Sequence, residues 1–368
     1  MPKAAEPVVL VASSEFTLKS SPVRRTLEQR LIDDIKFALR RGNVEFSRVE
    51  KEAARLVIFG TKQAELAASV CSRIFGVAYA AYAQLLTNPT LEEITQVVAE
   101  LATHHLSAGD SFAVRAHRSM PGGISRRDVE LEGGAKVLST MQGRSVTVNL
   151  DSPDVTFNVD LVGTDAFLYT RKKKGPGGLP LSSDWRMLAV LDRGSLSILA
   201  ASAMMRRGCV VELFIPVSSS IAGWASRTQM ALAEKLARLV TRPNYKAFVF
   251  EIDGFVVKKD APPLSRSLIR AMAVKFAREK RFRGVILSDI SGHLASLNQT
   301  HSNSEQVPIF YPLLGFDHAD IEELAKFADI EETELTAQSR FENQLPDFES
   351  RRVLFESIEV PSIREVHF

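Results

Sequence analysis

The chain has 368 residues, of which 45% are hydrophobic and 24% charged, enough for two or three domains with a core in each. Its longest apolar stretch, Ile74 to Ala83, falls far short of the roughly 20 residues that cross a bilayer, and Met1 to Pro7 lack the pattern of a secretory signal. Two cysteines, Cys71 and Cys209, exclude a secreted disulfide scaffold, so the expected compartment is the cytoplasm, with no membrane partner. The net charge of +2 conceals an asymmetry: residues 1–180 carry +3, residues 181–316 carry +8, and residues 317–368 carry −9. A polyanion would meet the first two blocks and avoid the acidic tail, itself read as a solvated segment.

Val8 to Ala12 is a short β-branched run. Pro22 to Arg41 reads as a helix, because Val23, Leu27, Leu31, Ile35, Phe37 and Ala38 follow helical spacing. Ser21 is the expected N-cap, Pro22 the first helical residue and Gly42 the stop. Ser47 to Phe59 reads as strand, turn, strand, and Thr61 to Phe75 as helix. Leu91 to His105 is a helix capped by Thr90, Ser111 to Ala116 alternates as a strand, and Arg127 to Thr140 is helical. Ser145 to Val148 with Thr156 to Leu161 reads as a hairpin pair. Small α+β modules account for this half of the chain.

Arg171 to Pro180, RKKKGPGGLP, marks a boundary, since its glycines and prolines cannot continue a helix or a central strand. Beyond it the pattern becomes β-α-β-α-β-α-β: strands at Met187 to Leu191, Val210 to Pro216, Ala247 to Ile252 and Gly284 to Leu287. Helices fall between them at Leu196 to Arg207, Gln229 to Val240 and Leu264 to Lys280. That order predicts a doubly wound parallel sheet with helices on both faces. The fold class expected is thus multi-domain α/β.

EFTLKSSPVRRTLEQRL (Glu15 to Leu31) resembles the opening segment of tRNA 4-thiouridine synthetases, the tRNA sulfurtransferases. FAVRAHR (Phe112 to Arg118), RRDVELEGGAKV (Arg126 to Val137) and LDSPDVTFNVDLVGTDAFLY (Leu150 to Tyr169) together resemble a THUMP domain. GPGGLP (Gly175 to Pro180) is similar to the family's junction, and MMRRGCVVE (Met204 to Glu212) to the first helix and second strand of its PP-loop ATP pyrophosphatase domain. The resemblance runs in order to about Ala328. It implies a ferredoxin-like domain at 1–80, THUMP at 81–170, a linker at 171–182, a PP-loop domain at 183–330 and an acidic tail at 331–368. It also implies tRNA as the partner, and leaves open a homodimer or a protein partner.

Arg115 and His117 fall on one face of a strand with Arg118 at its end, within reach of phosphates. Arg171, Lys172, Lys173 and Lys174 form an expected flexible cationic strap, and Lys19, Arg24 and Arg25 complete the candidate RNA contacts.

The family's PP-loop, S-G-G-x-D-S, lets backbone approach ATP phosphates at a helix N-terminus. Aligned from MMRRG, this chain reads Asp192, Arg193, Gly194, Ser195, Leu196, Ser197; only the second glycine and the last serine remain. Leu196 replaces the aspartate and offers nothing to magnesium. Asp192 puts a carboxylate where pyrophosphate would sit, a repulsion of about 4 kcal/mol at ~4 Å and an effective dielectric of ~20, which Arg193 could offset. The family's transfer cysteine has no counterpart after Cys209, and no C-x-x-C pair occurs. In Ser288 to Ser296, Asp289, Gly292 and Ser296 keep the character of the family's G-E-x-x-G-Q-x-A-S element, while Ser288 and His293 depart from it. Tyr311 stands where the family has arginine. His293 is the one remaining acid–base candidate.

Two readings follow. The first is a tRNA-binding pseudoenzyme or adaptor with no cofactor and no metal. The second is a divergent sulfurtransferase that uses ATP and Mg and takes sulfur from a partner. A THUMP methyltransferase is disfavoured, because Asp260-Ala261-Pro262-Pro263 is not a D-P-P-Y motif.

Overall fold

The computed structural model describes residues 5–13, 19–52, 55–118, 123–219, 226–241, 245–252, 266–290, 307–331 and 363–367. Two compact units divide between Gly177 and Gly178. No helix among the described residues is long and apolar enough to cross a membrane.

The first unit runs β1 (Glu6–Ser13), α1 (Ser21–Arg41), β2 (Arg48–Glu52), β3 (Arg55–Phe59), α2 (Ala64–Cys71), β4 (Val77–Leu86) and α3 (Leu91–His105). It continues with β5 (Ser111–Arg118), α4 (Arg126–Thr140), β6 (Thr147–Val148), β7 (Val155–Val162), β8 (Asp165–Tyr169) and β9 (Lys173–Lys174). The strands form one sheet in the order β2-β3-β1-β4-β8-β7-β5-β6, with β9 also on β4. Local sequence sets several boundaries. Thr90 Oγ1 accepts from Glu93 N–H at 3.2 Å and Glu93 accepts from Thr90 N–H at 2.8 Å, the capping box that starts α3. At α1 the cap is one residue earlier than expected: Ser20 is the N-cap and Ser21 the first helical residue, with no side-chain cap bond.

Strand alternation divides this sheet into two faces. Phe112, Val114 and Ala116 of β5, with Phe157, Val159 and Leu161 of β7, pack against Ile94, Val98, Ala102, Val129 and Val137 of α3 and α4. The opposite face buries strand residues alone: Val8, Leu10, Val57, Phe59, Ala81, Ala83, Leu85, Val162, Phe167 and Tyr169. The expected hairpin of Ser145–Val148 with Thr156–Leu161 does not form. Both segments flank β5 in parallel, and the antiparallel partner of β7 is β8. A local hairpin was the default for two nearby strands, and the long-range β5 pairing displaced it.

The second unit runs β10 (Ser182–Val190), α5 (Ser195–Arg206), β11 (Cys209–Val217), α6 (Ser226–Leu239), β12 (Lys246–Glu251) and α7 (Arg266–Glu279). It ends with β13 (Val285–Ile286), β14 (Ile309–Phe310), α8 (His318–Ala328) and β15 (Arg364–His367). The sheet order is β14-β13-β10-β11-β12-β15. All its pairings are parallel except β12 with β15, so the doubly wound expectation holds with one antiparallel edge strand added from the tail. That tail is therefore not solvated throughout. The chain leaves β10 toward β11 and later returns to β10's other side as β13, so the order reverses at β10. In open α/β sheets, ligands favour the crevice beyond the strand ends at such a reversal.

Candidate functional site

At that crevice the carboxyl end of β10 runs through Leu191, Asp192, Arg193 and Gly194 into α5. Gly194 has φ 50 and ψ −122, a conformation open to glycine and strained for other residues, which explains why this glycine can make the turn. The Arg193 N–H donates to Ser197 Oγ at 3.0 Å, and Ser197 Oγ lies 3.1 Å from Ser288 Oγ just beyond β13. The loop's own polar groups thus face inward and satisfy one another.

A four-member charge lattice seals the same place. Arg270 of α7, 5% exposed, donates through Nε to Asp192 Oδ2 at 2.9 Å and reaches Asp289 Oδ2 at 3.1 Å. Arg193 reaches Asp289 Oδ1 at 3.3 Å. Two buried carboxylates and two buried guanidinium groups sum to zero. Burial draws the Arg270 pKa down, but Asp192 and Asp289 outweigh it and hold the group above its ordinary value. The expected Asp192 carboxylate is present but is already paired, and its counter-ion is Arg270, not the Arg193 expected to offset its charge at the loop. Arg193, expected as the phosphate partner, is turned to Asp289 instead. Sequence reasoning missed Arg270 altogether. The signal was an arginine beside Ile269 and three residues before Ala273, on the helical stripe that otherwise buries Met272, Phe276 and Ala277. Ser195 is buried with the lattice, while Leu196 stays half-buried at the start of α5.

In the first unit the helix-free face carries a second polar group. Registers align Arg115 with Asn158 and Asn158 with Tyr169, while His117 aligns with Asp160. These residues alternate with the helix-packed ones, so Arg115 and His117 share the face of Asp160, Tyr169 and Tyr79. Asp160, 2% exposed, accepts from Tyr169 Oη at 3.2 Å and Tyr79 Oη at 3.3 Å, with Arg55 Nη2 at 3.3 Å. Burial, then the Asp160 charge, raises the pKa of both phenols, so they remain donors. Lys172 Nζ lies 5.0 Å from the Tyr79 ring centroid and 5.4 Å from that of Tyr169, and burial lowers its pKa.

The expected cationic strap is corrected by this arrangement. Lys173 and Lys174 are strand β9, paired with Ala80 and Tyr79, and the Gly175 N–H continues the ladder to Ala78 O at 2.9 Å. Glycines and prolines end that strand but do not prevent two residues from pairing at a free stretch of β4. Lys173 Nζ turns to Ser69 Oγ at 3.1 Å and Glu65 at 3.7 Å on α2. Arg171, Lys172 and Lys174 are exposed. Arg115 donates to Leu150 O and Arg118 to Ile124 O, so both hold the loops beside β5. Lys19, Arg24 and Arg25 sit at the start of α1, and the structure does not gather them with the sheet-face residues.

Three family descriptions tile the chain. The ThiI ferredoxin-like domain matches residues 8–81, the THUMP domain residues 88–171, and the family described as thiamine biosynthesis protein (ThiI) residues 183–343. The chain is 29% identical over 341 residues to a probable tRNA sulfurtransferase of Methanosarcina acetivorans, covering 87% of this chain and 80% of that one. It is 29% identical over 335 residues to a tRNA sulfurtransferase of Desulfurococcus amylolyticus, covering 86% and 67%. In order along its length, the chain carries the domains of the ThiI family and is similar to tRNA sulfurtransferases.

The fold agrees with that likeness. A crystal structure titled as a 4-thiouridine synthetase–RNA complex with bound ATP superposes with a TM-score of 0.73 at 21% identity, covering 98% of this chain and 99% of that one. The protein PH1313 of Pyrococcus horikoshii Ot3 superposes with a TM-score of 0.67 at 22% identity, covering 88% and 100%. Against the 4-thiouridine synthetase pattern, Tyr311 packs beside the apolar core around α7, partly buried. His293, Gly292 and Ser296 lie outside the described residues, as does Asp260-Ala261-Pro262-Pro263. Cys71 and Cys209 are buried free thiols; burial pushes Cys71 up to about 12 and raises Cys209, the opposite of an activated sulfur.

Proposed function

We propose that this chain binds tRNA through its first unit and has lost orthodox ATP-dependent sulfur transfer, acting as a pseudoenzyme or adaptor in the cytoplasm. The observation that carries the reading is the closed Asp192–Arg270–Asp289–Arg193 lattice at the loop position. A triphosphate entering there would have to break buried ion pairs, a cost of about 3–5 kcal/mol for each partner withdrawn. At 1.4 kcal/mol per decade, that removes about two to four orders of magnitude from nucleotide affinity for each partner withdrawn. The residues present therefore do not fit ATP and magnesium, and the two thiols are masked. Relatives named tRNA sulfurtransferase, and a fold neighbour titled as an RNA complex, support tRNA as the ligand. Arg115 and Lys172 on the helix-free face, with Arg171 next in the chain, supply the cations.

Titration calorimetry with ATP and magnesium decides the first part. Heat consistent with micromolar binding, or AMP release with tRNA, overturns the pseudoenzyme reading. For the second part, Arg115→Ala with Arg171→Ala and Lys172→Ala should weaken tRNA binding about tenfold and flatten its salt dependence. Unchanged binding would place the RNA elsewhere. One observation favours the divergent sulfurtransferase: Gly194 still gives the turn at an N-terminus of α5 that an anion could use. That reading needs sulfur from a partner.

A further inference from the structure

Because β10, β11, β12 and β13 are parallel, α5, α6 and α7 all end at the strands' N-terminal edge, opposite the 191–197 loop. The positive charge of this unit collects there. Arg206 and Arg207 close α5, Arg238 lies in the last turn of α6, and Arg278, Lys280, Arg281 and Arg283 close and follow α7; all are exposed. A cation at a helix C-terminus offsets the helix dipole, which accounts for about one per helix. Arg283 lies beyond its helix, with its N–H donating to Arg186 O at 2.8 Å, and the dipole does not explain it.

Two exposed aromatic rings lie at this edge, on the face of the sheet opposite α7. Pairing passes from Ser182↔Cys209 directly to Arg186↔Val210, so residues 183–185 bulge out of β10. Bulges re-aim side chains, and this one leaves Trp185 60% exposed. Alternation sets Trp185 on the side of Met187. A Cβ added at Gly284 would meet both the Phe310 ring, at 2.6 Å, and the Met187 methyl, at 2.9 Å, so Phe310 lies on that side too, 36% exposed. Among the described residues acids on this edge are few, and Glu365 is held by Lys246 at 2.7 Å. Glu212 is bonded to Arg186 at 2.6 Å and Asp184 to Ser182 at 2.8 Å, while Glu279 is exposed.

We propose that this edge binds unpaired nucleotides of an RNA, with Trp185 and Phe310 as stacking faces, and with Arg206 and Arg207 of α5, and Arg281 and Arg283 after α7 on the other face of the same edge, facing phosphates. A single strand presents open base faces and phosphates together, whereas a duplex offers mainly its phosphates. The proposal rests on the RNA-binding reading above and adds a second contact on the other unit.

The chain has two tryptophans, Trp185 and Trp224, so full-length protein carrying Trp224→Phe makes Trp185 the sole reporter. An oligouridylate of about 12 nucleotides should quench its fluorescence at low salt, and a duplex of equal length should not. Trp185→Ala, and separately Arg206→Glu with Arg207→Glu and Arg283→Glu, should weaken oligouridylate binding about tenfold, with unchanged thermal melting showing the fold intact. The Arg115, Arg171 and Lys172 substitutions should leave that signal in place. If those three fail to weaken tRNA binding while Trp185 still responds, the sheet-face reading falls and this one stands. Absent quenching, charge-reversed protein that binds as before, or stronger quenching by an oligoglutamate than by oligouridylate would each overturn the assignment.

Discussion

Asp160 in the first unit and the Asp192–Asp289 pair in the second are buried carboxylates treated in different ways. Asp160 is held by two phenols and one arginine, and that Arg55 side chain keeps 23% exposure, with Lys172 above the tyrosine rings. The second pair is matched charge for charge by Arg193 and Arg270, each almost wholly buried. The first site keeps cations at its rim. The second is complete in itself and offers a ligand no cation without first losing a bond. A buried charge cluster is therefore evidence of a binding site only when some of its charge remains unspent.

The comparison breaks most sharply at Arg270. Arg270→Met strands two buried carboxylates and should lower unfolding stability by about 3–5 kcal/mol in urea denaturation. Adding Asp192→Asn and Asp289→Asn should recover most of that loss, which a purely steric role for Arg270 would not allow. Asp160→Asn should cost less, about 1–3 kcal/mol, because the tyrosine hydroxyls keep an acceptor. Its expected sign on tRNA binding is neutral or favourable, since one negative charge leaves the rim; a filter-binding assay checks it. Asp192→Ser should free Arg270 toward the loop and raise ATP affinity by about tenfold, read by calorimetry, with Leu196→Asp adding to it only in the presence of magnesium.

The smallest effect belongs to the thiols. Cys71→Ala with Cys209→Ser should leave tRNA binding unchanged, and iodoacetamide should label native Cys71 only in denaturant. Cys71 has a folded pKa raised to about 12, above its unfolded value of about 8.5. Its contribution is thus intact below pH ~8.5 and is lost as pH rises toward 12, so the alanine variant should lose less stability across that alkaline window.

Much of the architecture was legible because periodicity and caps are local. The Leu91–His105 helix with its Thr90 cap, and the parallel β-α order after the boundary, could be read residue by residue. What escaped was set by distant partners. The strand at Val77–Leu86 carries so even an apolar pattern that no period stands out, since both its faces are buried. The pairing of Lys173–Lys174 with Ala80 and Tyr79 depends on a stretch of β4 left open by β8. At the loop, the identities of Asp192 and Leu196 pointed to lost chemistry, but the counter-ion 78 residues away on α7 could only be found in three dimensions.

The final strand gives the chain an order of completion. Lys246–Glu251 waits for Arg364–His367, more than a hundred residues later, to cover its open side. At about 5–20 residues per second, that edge stands unpaired for roughly 6–23 s of synthesis. Lys246 guards it meanwhile: an edge lysine discourages pairing with another chain, and the same ammonium is finally claimed by Glu365 at 2.7 Å. A product cut short before Arg364 would keep its charge lattice and its first unit, yet carry a permanently sticky edge.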